Sequence, residues 1–449
     1  MESIKLTYFD LPARGECIRL LLIYGEKEFD DITYDTDDLD IWRQEKNAYP
    51  FGQLPVYEED GRVTHQTVAI LRYLGKKFGL IGENDWENLE IDSMADNFTD
   101  FALHVIDYHY EPSAKLKAKK REVILTKVTP FLKVFDDISK ESGGYLALKR
   151  LTWVDFYLAG FIDYLSLMLN TNIFQSYPNI KTIRNNVFSL PSIEDWYNKQ
   201  PFKIKLAEQW INRSGVPKYD FCDELLTQRT NMSNCKLTYF DVPALGEPIR
   251  LLLAYIGDEF ENVTISMYKW TEYKQLFPFG QVPVYEENGK IVNQSVAIMR
   301  YLGKKCGLVG NDDWENLEID SIGDTIKDLQ HKFVCVHFEK SASSQKRLKE
   351  TFYNETVPYY LERFEKIANE NGGHLAIKRL TWVDFYWAGV VTYLSWAFKM
   401  DISGNNPNLN MVQRNVLNLR SIKKWYETNP INESYTKEWI EFSGTPTLP

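Results

Sequence analysis

The chain is poor in cysteine and histidine and has no long apolar run. Of its 449 residues five are cysteine, Cys17, Cys222, Cys235, Cys306 and Cys335, and no two form a Cys-x-x-Cys pair. That spacing argues against a disulfide framework and against a thiolate metal site, and no metal is expected. No stretch of 18 apolar residues occurs, so no membrane-spanning helix is expected. The chain enters a strand-like pattern at once, without the charged, apolar and small-residue segments of a secretory signal, and the expected location is cytoplasmic. Basic residues are outnumbered, 52 against 63 acidic, for a net charge of -11. A general nucleic-acid binder carries the opposite balance, and no basic tract interleaved with aromatics offsets it. With 44% hydrophobic and 26% charged residues, the remainder is ordinary for soluble globular protein.

What is present is present twice. The hexapeptide Lys5-Leu6-Thr7-Tyr8-Phe9-Asp10 returns as Lys236-Leu237-Thr238-Tyr239-Phe240-Asp241. Pro-Phe-Gly-Gln, Asp-Trp-Glu-Asn-Leu-Glu-Ile-Asp-Ser and Arg-Leu-Thr-Trp-Val-Asp-Phe-Tyr also recur in both halves. Tyr8 corresponds to Tyr239 and, after a three-residue deletion near Asp35 to Asp40, Pro50 corresponds to Pro278. So long a period means duplication of whole domains, not a solenoid.

Each half changes character once. The first 80 residues read as strand, helix, strand, a less regular segment, two strands (Pro55 to Glu58 and Arg62 to His65, joined at Asp60-Gly61) and a helix. From about Trp86 to Trp210 the apolar spacing is helical, as at Phe98, Phe101, Val105 and Tyr108. The expected fold class is therefore α/β plus all-α, twice, with boundaries at 1–80, 86–211, 235–308 and 314–442. Between the halves, residues 212–234 are polar and irregular, a joint whose extended reach is at most about 70 Å. It fits a fusion of two neighbouring subunits or a loose tether between independent ones.

Three features of each half carry chemical interest, and each has a plain structural alternative. Tyr8 and Tyr239 stand at a strand end, as catalytic hydroxyls or as half-buried aromatics. Gln53-Leu54-Pro55-Val56 and Gln281-Val282-Pro283-Val284 place a proline where a strand begins, which either turns the backbone of Leu54 and Val282 toward a peptide-like ligand or only makes a tight turn. Gln66-Thr67 and Gln294-Ser295 open an apolar helix, whose hydroxyl, free N–H groups and dipole suit a carboxylate ligand but also make a common cap. Thr152-x-x-Asp155 and Thr381-x-x-Asp384 read as capping boxes, beside core tryptophans Trp153 and Trp382.

In this order, with Trp42/Lys46 and Trp270/Lys274 between, these residues resemble the glutathione S-transferase family, specifically its sigma class, over nearly the whole chain outside the joint. The resemblance implies a thioredoxin-like N-terminal domain and an all-helical C-terminal domain in each half, and glutathione as co-substrate. It gives Tyr8 and Tyr239 the activation of the glutathione sulfur, with Arg14 as helper in the first half. Trp42, Lys46, Trp270 and Lys274 would hold the glycyl end, Leu54 and Val282 the cysteinyl unit. Gln66, Thr67, Gln294 and Ser295 would take the γ-glutamyl end. Phe9, Gln53, Pro55, Phe240, Gln281 and Pro283 complete the expected site. Asp100 and Asp328 stand where family dimers supply a carboxylate to the neighbouring site, so the two halves are expected to pair within the chain.

The halves depart from each other at Arg14, which is Leu245 in the second, and along the expected acceptor pocket, 101–111 against 329–339. The resemblance implies conjugation of glutathione to small hydrophobic electrophiles, lipid-peroxidation aldehydes among them. Prostaglandin isomerisation and hydroperoxide reduction use the same thiolate. A non-catalytic ligand carrier or crystallin-like protein is the reading from another class.

Overall fold

The computed structural model describes residues 3–36, 39–111, 114–199, 207, 209–211, 235–257, 260–339 and 341–443. The expected joint, 212–234, and Cys222 within it lie outside the described residues. The chain divides into two compact units, Met1–Leu226 and Thr227–Pro449.

The first unit begins with β1 (Ile4–Phe9), α1 (Arg14–Tyr24), β2 (Asp30–Tyr34), β3 (Val56–Glu59), β4 (Arg62–His65) and α2 (Thr67–Lys77). The sheet order is β2-β1-β3-β4. β1 runs parallel to β2, with Tyr8 opposite Thr33, and antiparallel to β3, with Thr7 opposite Val56. Leu6 and Tyr8, two apart and so on one face, are both buried. β3 starts at Val56 rather than at Pro55, because a proline has no N–H to give the ladder.

Helices follow: α3 (Asp85–His109), α4 (Ala114–Glu141), α5 (Trp153–Leu169), α6 (Pro178–Phe188) and α7 (Pro191–Lys199). α5 is the spine that carries the sheet layer. Its start is fixed by the Asp155 carboxylate, which accepts the N–H and hydroxyl of Thr152 (2.7 and 3.0 Å) and the N–H of Leu146 (2.7 Å). Trp153, fully buried, donates its N–H to the Leu80 carbonyl at 3.0 Å and covers Gly75 of α2. One turn on, the Cys17 thiol of α1 donates to the Tyr157 carbonyl at 3.4 Å. These contacts seat α1 and α2 on the helical domain.

The second unit repeats the plan: β5 (Cys235–Phe240), α8 (Glu247–Ile256), β6 (Phe260–Ile265), β7 (Val284–Glu287), β8 (Lys290–Asn293) and α9 (Ser295–Lys305), with sheet order β6-β5-β7-β8. Then come α10 (Asp313–His337), α11 (Ala342–Thr351), α12 (Val357–Glu370), α13 (Trp382–Phe398), α14 (Pro407–Leu417), α15 (Arg420–Thr428) and α16 (Glu433–Ser443). Thr381 and Asp384 form the same capping box. α11 and α12 are joined by the π turn Phe352–Thr356, where Pro358 has no N–H for an i-4 bond. Each unit is thus a thioredoxin-like sheet domain followed by a helical domain, as expected. Among the described residues no helix is long and apolar enough to cross a membrane.

Candidate active site

In both units the strand-end tyrosine is buried, Tyr8 at 7% exposure and Tyr239 at 6%. Each ring lies against a glycine of the following turn or helix start. A Cβ on Gly15 would sit 2.4 Å from Cδ1 of Tyr8, and one on Gly246 at 2.4 Å from Cδ1 of Tyr239. The Leu245 N–H donates to the Tyr239 hydroxyl oxygen at 3.3 Å, and the Arg14 N–H has the same role at Tyr8. Burial pushes both phenols up to about 12, against the pull of Arg14 and Arg19 at Tyr8 and of the Leu245 N–H and Arg250 at Tyr239. Each phenol therefore keeps its proton near neutral pH. With its oxygen already accepting a backbone N–H, the hydroxyl has a hydrogen to donate, and a tyrosinate base is not what this arrangement offers.

Beside each tyrosine stands an aromatic platform. Phe9 meets Trp42 edge-on at 5.8 Å, and Phe240 meets Trp270 at 5.2 Å. Both tryptophans are half-buried, while Lys46 and Lys274 one helical turn later are exposed. An ammonium on an exposed stem next to an indole can reach a ligand carboxylate.

The remaining expected residues gather at the other edge of the sheet. The Leu54–Pro55 and Val282–Pro283 bonds are cis. Gln66 Nε2 donates to Gln53 Oε1 at 3.4 Å, and Gln294 Nε2 to Gln281 Oε1 at 3.1 Å. Gln66 and Gln294 have φ of 75° and 81°, a region that residues with a side chain rarely occupy and that gathers at functional sites. Thr67 and Ser295 follow as the first residues of α2 and α9. The Thr67 hydroxyl is buried and has no hydrogen-bond partner. A buried orphan hydroxyl beside the free N–H groups of a helix start is a poor arrangement for an empty fold and a good one for a bound carboxylate.

Two domain models of one family match this chain twice each. A model of the glutathione S-transferase N-terminal domain matches residues 4–76 and 235–304, and one of the C-terminal domain matches 99–200 and 327–429. The chain is 42% identical over 202 residues to a glutathione S-transferase of Anopheles gambiae, covering 100% of that protein and 45% of this chain. The chain belongs to the glutathione S-transferase family. It is also 40% identical over 197 residues to glutathione S-transferase S1 of Drosophila melanogaster, covering 79% of that protein and 44% of this chain. With the hematopoietic prostaglandin D synthase of Homo sapiens it shares 33% identity over 202 residues, 98% of that protein and 44% of this chain.

Several residues near the tyrosines of this glutathione S-transferase chain escaped sequence reading. Arg19 and Arg250 are buried ions three residues along the helix from Glu16 and Glu247, to which they are paired at 3.0 and 3.1 Å. The i, i+3 spacing of opposite charges was visible, but its burial was not. Gly15 and Gly246 were legible only as turn residues. Tyr164 and Tyr393 approach Tyr8 and Tyr239 from α5 and α13, and Trp439 of α16 meets Phe240 at 4.8 Å. Asp100 and Asp328 lie half-buried on α3 and α10.

Proposed function

We propose that this protein is a sigma-class glutathione transferase with a thiol-activating site in each unit. The carrying observation is the polarity of the tyrosine hydroxyl. In each unit it accepts a backbone N–H and keeps its own proton, so what it offers a neighbouring sulfur is a hydrogen bond that favours the thiolate. An ordinary thiol with a pKa of about 8.5 is mostly protonated at neutral pH, and lowering it by two units requires about 2.7 kcal/mol, within reach of a buried charge-assisted hydrogen bond and a nearby cation.

The tripeptide fits the surroundings. The γ-glutamyl carboxylate suits the start of α2 and α9, with Gln66/Thr67 and Gln294/Ser295 beside it and the orphan Thr67 hydroxyl as a ready donor. The cysteinyl unit falls at Leu54 and Val282, where Gln53, Pro55, Gln281 and Pro283 shape the backbone. The glycyl carboxylate suits Trp42/Lys46 and Trp270/Lys274, with Phe9 and Phe240 behind. The thiol proton passes to solvent and the thiolate sulfur forms a bond to an electrophilic carbon; in a substitution the leaving group departs with its bonding electron pair, and in an addition the anion formed takes a proton from solvent.

The human prostaglandin synthase relative favours a second reading, isomerisation of an endoperoxide by the same thiolate. It differs only in the acceptor. The test is conjugation of glutathione to an aryl halide by the parent, Tyr8→Phe, Tyr239→Phe and the double variant. Each single change should leave the other unit's share, and the double should lose about 10- to 100-fold, the worth of a hydrogen bond to a charged group. A parent that binds glutathione yet conjugates nothing would instead make the protein a carrier.

A further inference from the structure

The polar groups around the two tyrosines differ at three positions. In the first unit α1 supplies Arg14, Glu16, Cys17 and Arg19, β2 supplies Asp31, α7 supplies Tyr197, and α5 supplies Tyr164. Arg19 Nη1 is 3.0 Å from Glu16 Oε2 and its Nε is 2.8 Å from Asp31 Oδ2, while the Tyr197 hydroxyl donates to Glu16. In the second unit Leu245 replaces Arg14, Pro248 replaces Cys17, and Asn262 replaces Asp31, with Tyr426 on Glu247 and Tyr393 near Tyr239.

The Nε bond of the second arginine survives with a neutral partner, while its Nη2 gains an acceptor that the buried Arg19 Nη2 lacks. Arg250 Nε donates to Asn262 Oδ1 at 3.0 Å, the same bond that Asp31 accepts in the first unit. Its other nitrogens donate to Glu247 (3.1 Å) and to the carbonyls of Val242 (3.1 Å) and Phe240 (3.0 Å), the turn that follows the tyrosine. Its guanidinium carbon lies 6.0 Å from the Tyr239 ring centroid. An amide in place of a carboxylate keeps the hydrogen bond and deletes the charge.

We propose that Asp31 and Asn262 set the field at the two tyrosines, and that the carboxylate-to-amide change at Asn262 offsets the missing Arg14 cation in the second unit. The first unit places two cations and two carboxylates around its tyrosine; the second places one of each. Both clusters are neutral, and the less countered Arg250 does for Tyr239 part of what Arg14 does for Tyr8. Asp31 and Asn262 act through the arginine and are positioning residues; the inference rests on the tyrosines being the thiol activators.

The test reads the apparent pKa of bound glutathione from the pH profile of kcat/KM for aryl halide conjugation, with the other unit silenced. In a Tyr8→Phe background, Asn262→Asp should raise that pKa by roughly half a unit, as expected for one added charge near 10 Å at an effective dielectric constant near 20 and partly neutralised by Arg250. Leu245→Arg should lower it by a similar amount, and the two together should return it to its starting value. In a Tyr239→Phe background, Arg14→Leu and Asp31→Asn should repeat the pattern with the signs reversed. Asp31→Asn strips a partner from a buried arginine and risks the fold, but Asn262→Asp adds one and does not. If Leu245→Arg shifts the pKa and Asn262→Asp leaves it unmoved, the offset is overturned. If the Tyr8→Phe, Tyr239→Phe double variant keeps the parental thiol pKa, the tyrosine reading itself fails, a separate outcome.

Discussion

Under Trp42 the first unit is polar, and under Trp270 the second is not. Trp42 rests on Tyr34 and Tyr49 at 5.3 and 5.9 Å, whose hydroxyls meet at 2.9 Å, and Tyr34 donates to Glu45 at 2.6 Å. The corresponding residues of the second unit are Ile265, Phe277 and Tyr273, and Trp270 stacks on Phe277 at 6.1 Å. Just past the end of α3 Trp210 donates to the Tyr110 hydroxyl at 3.1 Å, where the second unit has Phe338, half exposed. The shared parts are backbone devices: a tyrosine at a strand end, a cis proline, a glutamine at positive φ, a capping box. The divergent parts are polar and charged side chains. Such a division fits the proposal that thiol activation is common to both units while the acceptor differs.

The largest effect should come from breaking a shared device. Gly15→Ala or Gly246→Ala drives a Cβ into the Tyr8 or Tyr239 ring at 2.4 Å, in contact with no flexible tip that could swing away. Overpacking of this kind costs about 1–3 kcal/mol, and the ring that must shift carries the hydroxyl proposed to activate the thiol. Each substitution should lower the urea midpoint and cut the affected unit's kcat/KM by more than about tenfold. Since the clash is the same in both units, a loss confined to one of them would show that the frames are less alike than the geometry says.

A second shared feature is a buried histidine at the end of the first long helix. Burial, aided by Lys117 at His109 and by Lys349 at His337, pulls both imidazoles down to about 4. The unfolded chain, with an ordinary pKa near 6.5, takes up these protons first as pH falls. The stability each neutral histidine contributes is therefore whole above about pH 6.5 and is lost as pH falls toward 4. Melting temperature should drop by several degrees across that window. His109→Gln and His337→Gln should each flatten the slope by a similar amount; a profile governed by only one of them would break the symmetry.

Much of this frame was legible before any coordinates. The repeat, the strand tyrosine, the Gln-x-Pro step and the Thr-x-x-Asp box depend on local chemistry, and each fell where its spacing put it. What stayed hidden depends on long-range pairing. Asp31 joins Arg19 only because β2 lies parallel to β1, and Gly15 matters only because the Tyr8 ring folds back over it. The positive φ of Gln66 and Gln294 had no signal at all, since glutamine is not a residue favoured there. Those are places where the fold overrides local preference, and they cluster at the site.

The smallest effect is also the one that separates binding from folding. The buried Thr67 hydroxyl, with no partner within the protein, costs the free fold some of its desolvation penalty. Thr67→Val keeps the shape and removes that cost, so the variant without glutathione should melt slightly higher, by about 1 kcal/mol or less. With glutathione the sign should reverse, because the γ-glutamyl carboxylate loses a donor, and KM for glutathione should rise about fivefold while kcat holds. Thr67→Ser, which converts the first unit's residue into the Ser295 of the second, should change KM by less than about twofold. If Thr67→Val lowers the melting temperature of the free protein instead, the hydroxyl is satisfied within the fold and its place at the ligand is lost with it.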